Sequence, residues 1–381
     1  MRLFLVAGEA SGDKLGAALM AGLKSLVPGV TFAGIGGPLM EAEGMTSRFA
    51  MEELSVMGIA EILPKYRHLK RRIAETAQAV IEMRPDALIT IDSPDFCLRV
   101  ARIVKAAVPD LKTVHYVAPS VWAWRPGRAA KMARVIDHVL ALLPFEPPYM
   151  QAAGMSCDFV GHPVVAEPRA TPEQAGALRE TLMIGPRQPV LLCLPGSRRG
   201  EVKRLVPRFE SALTILAKRH PGLRVIVPTV RGVAPMVRDM TAGWQVAPIV
   251  IEDAADKRAA FAVADIALAA SGTVSLELAA SRVPMVIAYD ANPISWHIIW
   301  NLMRIDTVTL VNLVSETRAV PEFLGPNCRA EKIAPALEAL LSDPGSRTAQ
   351  IAAMEETMRR LGEGGEPPGL RAARSVLAFL G

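Results

Sequence analysis

The sequence predicts an α/β protein built from two doubly wound, Rossmann-like domains that face a cleft. Short apolar runs alternate with amphipathic helical stretches from the first residue, and this rhythm stops near residue 161 before it restarts. The chain has 381 residues, about half of them apolar, which is enough to support two hydrophobic cores. Polar turns at the ends of several apolar runs lie where doubly wound sheets bind their ligands.

The first domain is predicted from five short apolar runs, separated by helical stretches such as Leu15–Leu26 and Arg71–Met83. Apolar runs of this length that alternate with helices are typical of buried strands in parallel βαβ units. The predicted strands are Leu3–Ala7, Phe32–Ile35, Ala87–Ile91, Thr113–Val117 and Val139–Leu143.

The second domain is predicted after Gly161–Pro189, a segment rich in proline, alanine and charge. This segment is predicted to start as a linker and to contain a helix over Pro172–Leu182. At the other end, Glu331–Leu380 is predicted to be helical with a break at Gly362–Gly369. The elements predicted between them are Val190–Leu194, Glu201–Arg219, Arg224–Val227, Ile266–Ala269, Val274–Ser281 and Met285–Ala288.

Composition limits the classes of function. The formal net charge of +5 leaves nucleic acid, anionic lipid and phosphorylated small molecules as possible partners. Four cysteines lie far apart without a CxxC pair, so neither a disulfide framework nor a zinc site is predicted. The apolar run Leu3–Ala7 is too short for a signal peptide, and Ala291–Met303 falls far below the ~20 apolar residues of a membrane span. Any membrane contact is therefore expected to be peripheral.

The first candidate motif is the turn Gly8–Asp13 between the first strand and the first helix. It does not match GxGxxG, so a dinucleotide site is not predicted here. Its small residues allow a ligand to approach, and a helix N-terminus favours an anionic group. Alternatively, one polar side chain of the turn caps the helix, and the two interpretations are compatible. The candidate contacts are Glu9, Ser11, Gly12 and Asp13.

Two carboxylates, Asp92 and Asp95, follow the predicted strand that ends at Ile91. A carboxylate at this edge of the sheet could accept a proton from a sugar hydroxyl. One of the two could instead cap the next helix. Their spacing alone does not decide which is the base.

An aromatic cluster follows the next strand, in the segment HYVAPSVWAWR at residues 115–125. Aromatic residues make up only 5% of the chain, so their concentration here is unusual. Aromatic faces pack on sugars and acyl chains, and arginine pairs with phosphate. Either tryptophan alone would be explained better by core packing, but the combination predicts a functional loop. Its candidate residues are His115, Ser120, Trp122, Trp124 and Arg125.

Two strand–turn–helix motifs occur in the second domain, over Leu194–Glu201 and Ala270–Glu277. Backbone N–H groups in such turns cradle phosphates, and Arg198 would add a bidentate cation. Glu277 could accept hydrogen bonds from ribose hydroxyls, although it could also lie on a solvated face. Two anion-binding turns in one domain fit one nucleoside diphosphate. The predicted contacts are Gly196, Ser197, Arg198, Ser271, Gly272, Thr273 and Glu277.

A basic and apolar segment over residues 56–72 is a candidate for docking on a membrane surface. Apolar side chains that enter the headgroup region beside several cations would provide such a contact. Alternatively, the apolar residues pack on the sheet and the cations form a solvated face. The candidate docking residues are Ile62, Leu63, Tyr66, Arg67, Leu69, Lys70, Arg71 and Arg72.

Together, these motifs resemble the lipid-A-disaccharide synthase family, whose members have the GT-B glycosyltransferase fold. The segment HYVAPSVWAW is highly specific for this family, whereas PGSR or SGT alone carries little weight. The similar segments follow the family's order along most of the chain. They are Gly8–Asp13, Met51–Gly58, Ile91–Phe96, His115–Arg125, Leu143–Glu146, Gly161–Pro163, Leu194–Glu201, Ser271–Glu277 and Asn312.

The resemblance implies an inverting transfer of 2,3-diacylglucosamine from UDP to 2,3-diacylglucosamine 1-phosphate. The product would be the β-1,6 lipid A disaccharide 1-phosphate, with UDP released and no metal or other cofactor. In the family's pattern, Asp92 corresponds to the general base and Arg198 to the diphosphate-binding arginine. Glu277 corresponds to the ribose-binding acid, and Asn312 to a donor-site amide.

The resemblance also implies a cellular location and a separate binding role for each domain. A lipopolysaccharide enzyme of a Gram-negative bacterium would be cytoplasmic and bind the anionic inner face of the inner membrane peripherally. Nucleic acid is not an expected partner, and a homodimer is left open. We expect an acceptor- and lipid-binding domain over 1–165, with a helix over about 366–381 packing back on it, and a UDP-sugar-binding domain over 166–365.

Three other functions are alternatives to this assignment. Another UDP-sugar enzyme of this fold, an N-acetylglucosaminyltransferase or a UDP-sugar 2-epimerase, would fit Ser271–Glu277 equally well, but the HYVAPSVWAW segment argues against it. A non-catalytic peripheral membrane protein would not release UDP from acylated substrates. An NAD-dependent dehydrogenase is disfavoured by the missing GxGxxG.

Overall fold

The structure, a computed structural model, describes residues 1–54, 59–292, 296 and 302–381, and the side chains of residues 59–66 lie outside the described part. The chain divides into two compact units. Unit 1 comprises Met1–Ala166 and Gly364–Gly381, and unit 2 comprises Glu167–Glu363. Each unit has its own sheet and its own core.

Unit 1 is built on a parallel sheet whose four central strands are largely buried, as expected for a sheet covered on both faces. The spatial order is β2-β1-β3-β4-β5-β6, and all neighbours are parallel. The strands are β1 (Arg2–Ala7), β2 (Thr31–Ile35), β3 (Ala87–Ile91), β4 (Lys112–Tyr116), β5 (His138–Ala141) and β6 (Ser156–Phe159).

Helices cover both faces of this sheet because successive strand residues point to opposite sides. Leu3 and Leu5 pack in one core cluster, whereas Phe4 and Val6 pack in another. The helices are α1 (Ala10–Leu26), α2 (Pro38–Ala42), α3 (Ile59–Met83), α4 (Pro94–Ala107), α5 (Gly127–Met132) and α6 (Pro147–Gln151). Short 3₁₀ turns lie at Met51–Glu53 and Pro163–Ala166.

Unit 2 repeats the architecture with another parallel sheet, in the order β12-β11-β10-β7-β8-β9. Its strands are β7 (Val190–Leu194), β8 (Arg224–Pro228), β9 (Ile249–Ile251), β10 (Ile266–Ala269), β11 (Met285–Tyr289) and β12 (Glu322–Leu324). Its helices include α7 (Pro172–Thr181), α8 (Arg199–Arg219), α9 (Ala234–Thr241), α10 (Ala254–Val263), α11 (Val274–Ala280), α12 (Leu310–Ser315), α13 (Ala330–Ser342) and α14 (Pro344–Leu361). A 3₁₀ turn lies at Gly325–Asn327.

The last helix, α15 (Pro368–Leu380), belongs to unit 1 and packs against α1. Two glycines allow the two helices to approach closely. A Cβ atom at Gly369 would lie 2.5 Å from the carbonyl oxygen of Ala18, and one at Gly22 would lie 2.7 Å from that of Gly369. The absence of side chains at these positions lets the two backbones come into contact.

Each sheet reverses its winding direction once, and this reversal places the candidate sites. In unit 1 the reversal lies between β1 and β3, and in unit 2 between β7 and β10. Ligands of open α/β sheets bind beyond the carboxyl ends of the strands at such a reversal. Gly8 and Asp92 follow β1 and β3 directly, and the turns at 195–198 and 270–273 follow β7 and β10.

Sequence-predicted elements differ from the structure mainly at their ends and at the sheet edges. Helix α1 begins at Ala10 rather than Leu15, and α3 begins at Ile59 rather than Arg71. Strands β6, β9 and β12 were not predicted, because each has only three or four residues and is partly exposed. Within the described residues, no helix combines the length and the apolar character that crossing a bilayer requires.

Candidate active site

A cavity of about 410 Å³ lies at the winding reversal of unit 2. Its volume falls in the range of small-molecule sites, roughly 300–1,000 Å³. The structure brings all the nucleotide contacts predicted from the two turns to this cavity. These are Gly196, Ser197, Arg198, Ser271, Gly272, Thr273 and Glu277.

The first turn of this cavity already holds an anion, the carboxylate of Glu201. Its Oε2 accepts hydrogen bonds from the backbone N–H groups of Ser197 (3.2 Å) and Arg198 (3.3 Å). Its Oε1 accepts one from Arg198 Nη1 at 3.0 Å. Gly196 has φ +108°, and a Cβ atom there would lie 2.5 Å from Glu201 Oε2. The turn therefore requires glycine and presents its N–H groups to negative charge.

A carboxylate, a cation and a glycine with a positive φ line the same cavity at the second turn. Gly272 has φ +139°, and Ser275 Oγ donates a hydrogen bond to its carbonyl oxygen at 2.9 Å. Glu277 Oε2 lies 2.8 Å from Lys257 Nζ on α10, and both side chains are about one-third exposed. Glu277 is therefore accessible to a ligand but carries a partner that the sequence did not reveal.

Three further residues line this cavity and were missed by the sequence analysis. They are Pro228, the last residue of β8 beside β7, and Thr229 and Val230, which follow it. The Thr229 hydroxyl is buried without a hydrogen-bond partner among the described residues, whereas Val230 is 42% exposed. They follow a predicted strand at the same sheet edge as the two turns, so the rule that found those turns would also have found them.

In unit 1, Asp92 is held at the end of β3 by an unusual backbone and two hydrogen bonds. Asp92 and Ser93 have φ values of +52° and +42°, a conformation that costs roughly 1–3 kcal/mol per non-glycine residue. Asp92 Oδ2 accepts a hydrogen bond from Ser11 Oγ at 3.2 Å, and Oδ1 accepts one from Ser93 N at 2.9 Å. The carboxylate is half-buried in this position.

A cavity of about 180 Å³ opens beside Asp92, and its wall includes His115, Ser120 and Arg128. Burial lowers the pKa of His115 to about 4, so its imidazole is neutral at physiological pH. The ring Nδ1 lies 2.7 Å from Thr90 Oγ1. Asp95 is exposed in the first turn of α4 and does not line this cavity. The geometry thus favours Asp92 over Asp95 as the residue that meets a ligand.

Comparison with known proteins assigns the chain to a family. The lipid-A-disaccharide synthetase family model matches residues 3–366. A lipid-A-disaccharide synthase of Ruegeria pomeroyi is 64% identical over 385 residues, covering 99% of this chain and 95% of the relative. Another, from Rhodospirillum centenum, is 49% identical over 98% of this chain and 94% of the relative. The chain belongs to the lipid-A-disaccharide synthase family.

Solved structures that resemble this synthase-family chain share its fold at low identity. A UDP-GlcNAc 2-epimerase from Neisseria meningitidis, bound to UDP-GlcNAc, has a TM-score of 0.67 at 12% identity, over 100% of this chain and 99% of that one. A glycosyltransferase from Rickettsia africae has a TM-score of 0.61 at 14% identity, over 100% and 97%. These likenesses confirm the predicted Rossmann-like α/β fold.

The aromatic loop of this synthase-family chain is anchored by a buried carboxylate. Trp122 Nε1 donates a hydrogen bond to Glu146 Oε1 at 3.2 Å, and its ring meets Phe145 edge-on at 5.1 Å. Burial raises the pKa of Glu146 to about 7. Arg125 stacks on Trp124, with 4.2 Å between its guanidinium carbon and the ring centroid. Neither tryptophan nor Arg125 lines the cavity beside Asp92.

The turn after β1 is mostly structural. Asp13 is buried and accepts hydrogen bonds from the backbone N–H groups at the start of α2, at 2.9–3.0 Å. It therefore caps α2, and its placement at the acceptor site stays a prediction. A Cβ atom at Gly12 would lie 3.3 Å from Ile91 O, so the missing side chain lets α1 lie close to β3. Glu9 and Ser11 remain exposed at the start of α1.

Asn312 does not line the nucleotide cavity in this structure, and its donor-site role stays a prediction from the family's pattern. Its side chain is buried on α12. Nδ2 donates hydrogen bonds to Val320 O (2.9 Å) and Thr307 Oγ1 (3.2 Å), and Oδ1 accepts one from Val320 N at 3.0 Å. The amide thus joins two backbone segments.

Two cations of the basic segment over residues 56–72 pair with acidic side chains. Arg72 forms a bidentate pair with Glu53, at 2.8 and 2.9 Å, and lies over the Phe49 ring. Arg71 lies 3.5 Å from Glu75. Arg67 and Lys70 are exposed and Leu69 is half-buried, while the side chains of Ile62, Leu63 and Tyr66 lie outside the described residues. Arg72 is therefore paired rather than a free cation, and its part in the docking surface stays a prediction.

Proposed function

We propose that this synthase-family enzyme transfers 2,3-diacylglucosamine from UDP-2,3-diacylglucosamine to 2,3-diacylglucosamine 1-phosphate. The products are the β-1,6 disaccharide 1-phosphate and UDP. The observation that carries the proposal is the cavity of unit 2, where two anion-binding turns, Arg198 and Glu277 converge. Because epimerases and glycosyltransferases share this fold, the choice between them rests on the synthase relatives rather than on the architecture.

The donor nucleotide binds in unit 2 in this proposal. The N–H groups at residues 197 and 198 and the Arg198 guanidinium bind the diphosphate, and Glu277 accepts hydrogen bonds from the ribose. The diphosphate takes the place of the Glu201 carboxylate at the turn. Negative charge grows on UDP as it departs, so the groups that hold the diphosphate stabilise the transition state more than the ground state.

The acceptor sugar binds beside Asp92 in unit 1. The 6-hydroxyl oxygen forms a bond to the anomeric carbon while the bond from that carbon to UDP breaks, and Asp92 takes the hydroxyl proton. Attack opposite to the leaving group inverts the anomeric centre. Asp92 is already oriented by Ser11 Oγ and Ser93 N, so no rearrangement of the carboxylate is needed.

Replacing Glu277 with glutamine is expected to weaken UDP binding about tenfold or more. A hydrogen bond to a charged group is worth about 1.5–3 kcal/mol, and 1.4 kcal/mol is tenfold in affinity. Titration calorimetry with UDP and with 2′-deoxy-UDP measures the loss. The variant should affect the deoxy nucleotide less, because that ligand lacks one of the hydroxyls.

The matched control is Glu331→Gln, at an exposed position of α13 outside the cavity. It should bind both nucleotides like the parent protein. Unchanged UDP affinity in Glu277→Gln would overturn the ribose assignment. An equal loss for UDP and 2′-deoxy-UDP would show that Glu277 acts only through its ion pair with Lys257.

We propose further that Arg67 and Lys70 contribute to docking on the anionic inner face of the inner membrane. The double variant Arg67→Ser with Lys70→Ser should bind anionic vesicles about 30-fold more weakly, because each cation contributes roughly 1 kcal/mol. Vesicle sedimentation at low and high salt measures the effect, and salt should weaken the parent's binding.

Arg99 and Arg102 provide a matched control, because they are exposed cations at the same spacing on α4. Their double serine variant loses the same net charge at another place. If both double variants lose vesicle binding equally, overall charge rather than a docking surface attracts the protein. Sedimentation of the Arg67 and Lys70 variant like the parent would also contradict the proposal.

A further inference from the structure

Arg128 lines the same cavity as Asp92, His115 and Ser120 and is half-buried there. It lies in the first turn of α5. Within the described part of the chain, its guanidinium forms no ion pair or hydrogen bond. No acidic residue occurs between residues 111 and 136, so the surrounding sequence offers no counter-charge.

The other half-buried arginines of the described residues each lie near a carboxylate or donate a hydrogen bond to a backbone carbonyl oxygen. Arg72 is held by Glu53, and Arg208 lies 2.6 Å from Asp290. An unpaired cation that loses part of its hydration is unfavourable, and a cation in the first turn of a helix also opposes the helix dipole. The stability of the fold therefore does not explain why Arg128 faces this cavity.

The cavity has a polarity that suits a particular ligand. Asp92 offers a carboxylate that accepts a hydroxyl proton, Arg128 offers a permanent cation, and neutral His115 adds no positive charge. The planar guanidinium matches phosphate oxygens with two parallel hydrogen bonds, and the Ser120 hydroxyl can donate a third. A sugar with a free hydroxyl and a phosphomonoester satisfies both charged groups.

We propose that Arg128 binds the phosphomonoester of the acceptor sugar and thereby selects a phosphorylated acceptor. This inference rests on the proposed function, because it names the partner of the same cavity. Arg125, the arginine singled out in the sequence, is exposed and stacked on Trp124 outside the cavity. The specificity-determining arginine is thus Arg128 and not Arg125 of the aromatic loop.

The test compares two acceptors, 2,3-diacylglucosamine 1-phosphate and its 1-O-methyl glycoside, in the parent, Arg128→Met and Arg128→Lys. In Arg128→Met, kcat/KM for the phosphorylated acceptor should fall about 10- to 100-fold, since charged hydrogen bonds are lost. This loss in kcat/KM should come mainly from a higher KM for the phosphorylated acceptor. Turnover of the methyl glycoside should change less than about twofold, and lysine should restore part of the preference for phosphate.

Arg134→Met is the matched control, because Arg134 is exposed and outside the cavity. It should leave the preference for the phosphorylated acceptor unchanged. Equal losses on both acceptors in Arg128→Met would overturn the proposal, and so would an unchanged preference. Binding of the protein to phosphatidylglycerol vesicles without acceptor should be equal in the parent and Arg128→Met, and a loss there would assign Arg128 to lipid headgroups instead.

Direct binding separates this inference from the proposed function. Calorimetric titration of the two acceptors in detergent micelles requires no turnover. If the parent prefers the phosphorylated sugar and Arg128→Met does not, the phosphate site stands even when no disaccharide forms. If the parent forms disaccharide but Arg128→Met keeps the parent's preference, the assignment of Arg128 to the phosphate is wrong while the proposed function is retained.

Discussion

Replacing Asp92 with asparagine is expected to lower kcat by about 10²–10⁴-fold, the usual cost of removing a general base. The amide cannot take the proton of the acceptor hydroxyl, but its oxygen can still accept one of the hydrogen bonds from Ser11 and Ser93. Asparagine also tolerates the positive φ of this position. Thermal stability and UDP affinity should therefore stay close to those of the parent.

Asp95→Asn is the matched control for this prediction. Asp95 is exposed on α4 and outside the cavity, so its variant should retain turnover within a few-fold. Steady-state rates of UDP release with both acylated substrates measure the two variants side by side. If Asp95→Asn abolishes turnover while Asp92→Asn retains it, the catalytic base is assigned to the wrong carboxylate.

Replacing Arg198 with methionine is expected to lower kcat by about 10²–10³-fold, as for the loss of one group that stabilises a developing anion. The side chain is 68% exposed and held toward the turn by Glu201, so its loss should not disturb the core. The charge-conserving variant Arg198→Lys should recover part of the rate, because lysine keeps the charge but not the planar fork.

Arg199→Met tests whether position or charge alone matters. Arg199 is the next residue, is exposed and does not line the cavity. Single-turnover rates for sugar transfer should be near the parent's in this variant. A large loss in Arg199→Met together with normal rates in Arg198→Met would contradict the assignment of the diphosphate contact.

Much of the candidate site could be predicted because it depends on the order of elements along the chain. A turn that follows an apolar run lies at the carboxyl edge of a parallel sheet, and this places Gly196, Gly272 and Asp92. The winding reversal then brings the turns of unit 2 together. No pairing of side chains had to be known.

The contacts of several candidate site residues could not be predicted, because their partners are not neighbours in the sequence. Glu277 pairs with Lys257, twenty residues earlier, and Arg72 pairs with Glu53, nineteen residues earlier. Asn312 is engaged by the backbone of Val320, which only the folded chain brings beside it. The resemblance implies a donor-site role for Asn312, and the fold shows in addition that both polar atoms of its amide bind neighbouring groups of the chain.

Arg128 is a further residue whose role could not be predicted from the sequence. In the sequence it is one of several cations in a basic stretch and has no motif of its own. Only the folded chain shows that it lines the Asp92 cavity and lacks a counter-charge among the described residues. A residue whose role depends on a missing partner leaves no signal in spacing or composition.

The measurement that tests the central claim most directly is product analysis of one reaction. The purified protein is incubated with UDP-2,3-diacylglucosamine and 2,3-diacylglucosamine 1-phosphate, and the lipid products and released UDP are quantified by mass spectrometry. We predict one disaccharide 1-phosphate for each UDP, with no UDP released when the acceptor is omitted. Consumption of UDP-2,3-diacylglucosamine without formation of the disaccharide 1-phosphate would contradict the account.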